Sequence, residues 1–193
     1  SDEDCHELRK AILKQEILPS MRLLWSAGIS AKATNVAAYN CAYIAITELR
    51  DFGEILYISM CGTGVGFSVE EKATQRLPQI NIQTGEILET HVIDDSKEGW
   101  ADALILGFTT WFSGKDINFD FSSLRPAGAR LKTMGGKSSG PAPLRSLLTF
   151  CREKILKRQG RRLSTIDVHD IACKIGECVV AGGVRRSALI SLS

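Results

Sequence analysis

Asn40-Cys41-Ala42-Tyr43-Ile44-Ala45-Ile46 places a cysteine at the head of a short apolar run rich in β-formers. The run predicts a buried strand that holds the thiol at a fixed point on a sheet. Upstream lies a loop containing Gly, Ser and Asn, from Ser26-Ala27-Gly28 to Asn35. Downstream, Glu48 to Cys61 predicts a helix packed on that strand through Phe52, Ile55, Leu56, Ser59 and Met60. Gly62-Thr63-Gly64-Val65-Gly66-Phe67-Ser68-Val69-Glu70 then predicts a glycine-rich turn running into a second strand. A free cysteine is ordinarily a small buried hydrophobe. Position alone does not raise Cys41 above that role, and the rest of the chain has to.

The glycine-rich turn is not a dinucleotide fingerprint. G-x-G-x-x-G would need glycine at 67, where Phe67 stands, and the turn follows a helix and enters a strand, the reverse of the required order. Its glycines instead permit tight backbone packing. Gly136-Lys137-Ser138 fails as a P-loop for a similar reason, because Leu131 stands where the first glycine belongs.

Composition bounds the remaining classes. The 193 residues suffice for one domain with a sizeable core. A net charge of +2 gives no argument for nucleic-acid or membrane binding, and no apolar run approaches the length of a membrane span. Six cysteines at irregular spacing without a C-x-x-C, and three scattered histidines, point to reduced thiols in a cytoplasmic protein and not to a disulfide scaffold or a zinc site. Cys151, Cys173 and Cys178 read as core packing. A start without methionine and the strand-like run at Ile190-Ser191-Leu192-Ser193 lead us to expect a piece of something longer.

The remaining elements follow from pattern. Residues 5–18 predict a helix capped by Asp4 and ended by Pro19-Ser20. Met21 to Gly28 is apolar and turns on glycine; Arg22 within it is a candidate phosphate contact, against the ordinary role of a surface arginine. Residues 71–97 are polar, with β-like pieces at 80–82 and 90–93. Ser96 caps a helix carrying Trp100, Leu104 and Phe108, and Ile117 to Phe121 alternates as a half-buried strand. Leu124 to Pro141 holds four glycines, four basic residues and three hydroxyls, which together suit a polyphosphate. Pro143 opens one helix, Ser164 or Thr165 caps the next, and Gly182-Gly183-Val184-Arg185-Arg186-Ser187 follows as a loop with strong phosphate or base donors.

Several strings occur in one order: Trp25-Ser26-Ala27-Gly28, Asn40-Cys41, Gly64 to Val69, Glu98-Gly99-Trp100, Leu124 to Ala129, Gly135 to Leu144 and Val180 to Ala188. Over about residues 19–193 this ordered set resembles the adenosylcobalamin-dependent (class II) ribonucleotide reductases, nearest to the monomeric ribonucleoside-triphosphate reductases. The resemblance implies an α/β fold, the first half of a ten-stranded barrel. Residues 1–28 would be leading helices and 38–193 the half-barrel with its effector loops. It implies that Cys41 is one member of a redox pair whose partner lies in the remaining C-terminal part of the reductase. It implies substrate contacts from Arg22, Ser26, Asn40, Arg185, Arg186 and Ser187. Effector contacts would come from Arg130, Lys132, Gly135, Gly136, Lys137 and Ser138. It further implies adenosylcobalamin bound mostly outside this chain, a ribonucleotide substrate, a deoxynucleotide effector and a thioredoxin-like dithiol reductant, with no metal site in the chain. The chain alone is expected to be inactive. Two other readings stay open: a non-catalytic nucleotide-binding module that keeps the effector loops, and a ribonucleoside-diphosphate reductase.

Overall fold

A computed structural model of the chain describes residues 1–130, 137–181 and 188–192. The chain forms two compact units, Ser1–Asn40 and Cys41–Ser193.

The first unit is helical. α1 (Asp2–Leu13) starts earlier than expected because Ser1, not Asp4, is its cap. Ser1 accepts from the Asp4 amide, and the Asp4 carboxylate reaches back to the chain start, which closes a capping box. α1 also ends before Pro19, at Leu13, and Gln15 just beyond adopts a left-handed φ of 61°. Ser20 caps α2 (Met21–Ser26) by accepting from the Leu23 amide at 3.1 Å. The expected loop from Ser26 to Asn35 is largely helical instead. It contains α3 (Ile29–Ala33) and leads into a 3₁₀ turn over Asn35–Ala38. Helical structure thus continues past residue 28.

The second unit is built on a parallel sheet ordered β1 (Cys41–Ala45), β2 (Gly64–Ser68), β5 (Leu189–Leu192). β1 and β2 are joined by α4 (Leu49–Met60), as parallel neighbours require a crossover. After β2 come a single turn of helix, α5 (Glu71–Thr74), and a second parallel pair, β3 (Ile87–Val92) with β4 (Asp116–Asp120). Between those two strands runs α6 (Lys97–Phe112), capped as expected by Ser96, which accepts from the Gly99 amide at 2.9 Å. The β-like piece at 80–82 is no strand; the Ile80 and Asn81 amides are bound by the carbonyls of Arg161 and Phe112. α7 (Ala142–Leu156) and α8 (Thr165–Ala181) complete the unit.

Four helices close a ring: α4 packs on α6, α6 on α7, α7 on α8, and α8 back on α4. Phe52, Phe108, Trp111, Leu144, Leu147, Ile171 and Ile175 fill the core to which they contribute, with the Phe52 and Phe108 rings 4.7 Å apart. Gly53 permits the close approach of α4 to α6, since a Cβ there would run into Ile105. Polar staples bind the periphery. Asp116 accepts from Arg152, from Trp111 Nε1 at 3.0 Å and from the Ile117 amide. At the head of α8, Asp167 accepts from Ser164 and from Arg158. No helix among the described residues is long and apolar enough to cross a membrane.

Candidate functional site

The sheet brings three chain segments to its N-terminal edge. Cys41, the first residue of β1, pairs in register with Gly64, the first residue of β2. The next residue, Val65, pairs with Leu189 at the start of β5, and the Val65 amide donates to the Ala188 carbonyl at 2.9 Å. The chain at Ala188 therefore enters the sheet beside the strand that pairs with the Cys41 strand. Alternation assigns the two faces. Val65, Phe67 and Leu189 belong to the face that meets the helical core. Cys41, Tyr43, Gly64, Gly66, Ile190 and Leu192 share the opposite face by register.

That opposite face is open. Cys41 is exposed, and Tyr43, Ile190 and Leu192 remain 59%, 59% and 43% exposed. Here the expectation of a buried strand is corrected: β1 forms where predicted, but its thiol end faces outward because only the Ala42–Ile44 face meets α4. Beside Cys41 and Tyr43 the neighbouring strand offers only Gly64 and Gly66 on this face. Paired glycines in a strand leave room for close approach by a ligand or another backbone. A Cβ on Gly66 would sit 3.0 Å from Leu192 Cδ1. The period-two spacing of Gly64 and Gly66 was the signal for this floor without side chains, which Leu192 and Ile190 flank at Gly66, and reading the glycines as a packing device alone missed it.

The other thiols differ in kind. Exchange with an external dithiol needs an accessible sulfur with thiolate character. Cys151 and Cys178 are buried, as expected, and burial pushes both thiols up, Cys178 to about 12. Cys173 departs from its expected packing role and is exposed on α8, its sulfur 3.8 Å from the His169 ring. Cys5 is exposed on α1. Cys61 is buried at the end of α4, beside Lys97. Cys41 thus combines exposure with a fixed place on a sheet. Among the described residues no group of His, Cys, Asp and Glu could hold a metal ion.

The expected binding residues fall in three places. In the first unit, Arg22 Nε donates to the Ala37 carbonyl at 3.1 Å, and the buried Ser26 hydroxyl donates to the Arg22 carbonyl at 2.9 Å. Asn40 is exposed immediately before Cys41. In the second unit, Arg130 and Lys137 form an antiparallel bridge, the Ser138 amide donates to the Ala129 carbonyl, and the Gly128 amide donates to the Ser138 carbonyl. These bonds make a narrow neck. Gly140, at φ 72°, closes it, its amide donating to Ser138 Oγ. Arg125 is drawn away from such a role by Asp95, 2.7 Å from its Nε. Lys132, Gly135 and Gly136, and likewise Arg185, Arg186 and Ser187, lie outside the described residues.

Comparison with known proteins accounts for this arrangement. A family model described as the insertion domain of B12-dependent ribonucleotide reductase matches residues 68–155. An adenosylcobalamin-dependent ribonucleoside-triphosphate reductase of Euglena gracilis is 33% identical over 98% of this chain and 27% of its own length. A crystal structure of a B12-dependent (class II) ribonucleotide reductase superposes with a TM-score of 0.81 at 26% identity, covering 98% of this chain and 34% of that one. The chain is thus similar, along nearly its whole length, to one part of the class II ribonucleotide reductases. Its relative in Mycobacterium phage D29, a putative reductase of the same name, is 30% identical over 96% of this chain and 33% of its own length. The chain therefore spans about a quarter to a third of the curated reductases it matches. Within the reductase fold, the matched insertion carries α6, α7 and the β3–β4 pair, whereas α4 and α8 lie outside it. The ring of four helices is half insertion and half flanking chain, and this resolves the polar 71–97 segment as part of that insertion.

Proposed function

We propose that this chain is the part of an adenosylcobalamin-dependent ribonucleoside-triphosphate reductase that carries one thiol of the reducing pair and the loops that match effector to substrate. The observation that carries the proposal is Cys41, exposed at the sheet edge above a floor of Gly64 and Gly66. A ribose can lie flat against such a floor with its 2′ carbon close to the sulfur. In the proposed reaction two cysteine thiols deliver two hydrogens and two electrons. The ribose 2′ C–O bond breaks, the oxygen leaves as water, a 2′ C–H bond forms, and the two sulfurs join as a disulfide. An external thioredoxin-like dithiol then reopens that disulfide by exchange. Rigid placement of the sulfur is the chain's contribution.

Asn40 and Arg22 form the substrate side of the proposal, with Ser26 acting through Arg22, whose carbonyl it binds. Arg185, Arg186 and Ser187 are proposed to contact the substrate base or phosphate. Arg130, Lys132, Gly135, Gly136, Lys137 and Ser138 are proposed to hold a deoxynucleotide effector, supported by the neck that gathers Arg130, Lys137 and Ser138. Adenosylcobalamin enters through the names of the relatives. The groove of about 650 Å³ lined by Arg145, Thr149, Phe150, Glu153 and Lys174 belongs to α7 and α8, not to the Cys41 face. The cofactor's contacts are assigned to the remaining part of the reductase. A cytoplasmic setting accords with reduced thiols.

Cys41→Ser in the complete reductase tests the reading. Dithiol-dependent turnover should fall by at least about a hundredfold while effector binding persists. Full retained turnover would remove Cys41 from the reaction. Effector binding by a complete protein that reduces neither ribonucleoside di- nor triphosphates would instead favour a non-catalytic nucleotide module. Arg186→Ala should change which base is reduced under a given effector. An unchanged base preference across effectors counts against the loop assignment.

A further inference from the structure

The chain holds a second sulfur site, away from the face of Cys41. Cys61 closes the last turn of α4, and its side chain is buried, with the residue 1% exposed. Lys97, the first residue of α6, reaches across from the neighbouring helix, and its Nζ donates to Cys61 Sγ at 3.5 Å. Lys97 Nζ also lies 5.8 Å from the centre of the Tyr57 ring. Tyr57 is one turn back along α4, and its phenol is pushed up to about 12 by burial first, then by Cys61 and Glu98. Burial likewise raises the Cys61 thiol, and the ammonium of Lys97 works against it. A half-buried amine, a buried thiol, a neutral phenol and an exposed carboxylate therefore meet where two helix ends abut.

Lysine beside a thiol is an unusual neighbour, because a carboxylate is the ordinary partner of a buried amine. The contact also sets the nitrogen at 3.5 Å from the sulfur, the non-bonded approach from which an amine can attack an oxidised sulfur. We propose that Cys61 and Lys97 form a reversible covalent bridge under peroxide, a sulfenamide that joins α4 to α6. The first step is Cys61–SH + H₂O₂ → Cys61–SOH + H₂O, in which the sulfur is oxidised by two electrons and the peroxide O–O bond breaks. In the second, the neutral amine of Lys97 attacks the sulfur. The S–N bond forms, the S–O bond breaks and water leaves. The ammonium proton of Lys97 passes to water before the attack, and one amine proton leaves with the hydroxide as the second water. Sulfenic acids condense with nitrogen in this way, and a dithiol reverses the product. The bridge would fix the helix end that leads through Gly62 and Thr63 into Gly64, the register partner of Cys41. The proposal concerns oxidant exposure of the chain itself and does not depend on reductase activity.

The test uses the folded chain, reduced and then freed of reductant. It is treated with hydrogen peroxide, alkylated, and digested with trypsin without reductant. Trypsin releases Cys61 in residues 51–72 and normally cuts after Lys97, between residues 77–97 and 98–115. The expected product is residues 51–72 joined to an uncut 77–115, lighter than the two summed by about two hydrogens. Dithiothreitol should abolish it. In Lys97→Arg the joined species should vanish, and dimedone should label Cys61 instead. Cys61 still free for alkylation after unfolding, at a peroxide dose that oxidises the exposed Cys41 and Cys173, overturns the proposal. So does normal cleavage after Lys97 with Cys61 oxidised alone, or a joined species heavier by one oxygen.

Discussion

The two faces of one sheet are built to different ends. On the helical side Val65 and Phe67 are 1% and 2% exposed, pressed against α4 and α8. On the other side Gly64 and Gly66 carry no side chain and Tyr43, Ile190 and Leu192 stay about half exposed, although Ser68 at the end of β2 is buried. Parallel sheets are normally covered on both faces. The closed ring of α4, α6, α7 and α8 therefore carries the stability of this unit, while the face that bears Cys41 contributes little. In the role proposed for Cys41, a thiol that meets substrate gains from that division. Its surroundings can be shaped for approach, since the helices on the far side already hold the strands in place.

The largest effect expected of breaking this contrast lies in the ring. Phe108→Ala removes a fully buried ring that packs on Phe52, Trp111 and Phe112. It should cost about 3–5 kcal/mol of unfolding free energy in a denaturant titration. A loss below about 1 kcal/mol would mean that the ring is not the stable core.

Next in size is the staple that ties β4 to α7. Hydrogen bonds from Arg152 hold the Asp116 carboxyl below the usual carboxylate range, against the opposing effect of burial. Asp116→Asn should cost about 1–3 kcal/mol at neutral pH. The sign with pH follows from the depressed value. The stabilisation is fully present above the unfolded carboxylate value of about 4 and is lost as pH falls through the folded one. The gap between wild type and Asp116→Asn in urea should therefore narrow in acid. A constant gap would place the effect in packing instead of charge.

Much of this was legible in the sequence, and the exceptions have physical causes. The Ser96 cap, the helix after Pro143, and the strands at Cys41, Gly64 and Ile117 followed from local chemistry, where one or two residues fix the backbone. Exposure did not follow. Cys41-Ala-Tyr-Ile-Ala has the composition of a buried strand, and composition cannot report that only one of its faces meets a helix. Periodicity likewise showed which side of α6 and α7 is apolar but not that they close a ring with α4 and α8, because a hydrophobic stripe does not name its partner. At the N-terminus, Ser1 was overlooked as a cap in favour of Asp4, although Ser1-x-x-Asp4 has the reciprocal spacing of a capping box. The contact of Lys97 with Cys61 joins residues 36 apart and left no local trace.

The smallest expected effect is the most telling for the open face. Ile190 lies in β5 beside Gly66 and is 59% exposed. In this chain Ile190→Ser should change stability by less than about 0.5 kcal/mol, because little apolar surface is lost from contact. In the complete reductase the same substitution should cost several times more, since a second layer would cover the face and the serine hydroxyl would be buried against it. Denaturant titrations of both proteins, each with and without the substitution, measure that difference directly. An equal cost in the two would mean that the face stays bare in the longer protein. The glycines beside Cys41 would then serve strand packing, and the case for a ribose resting on them would lose its geometry.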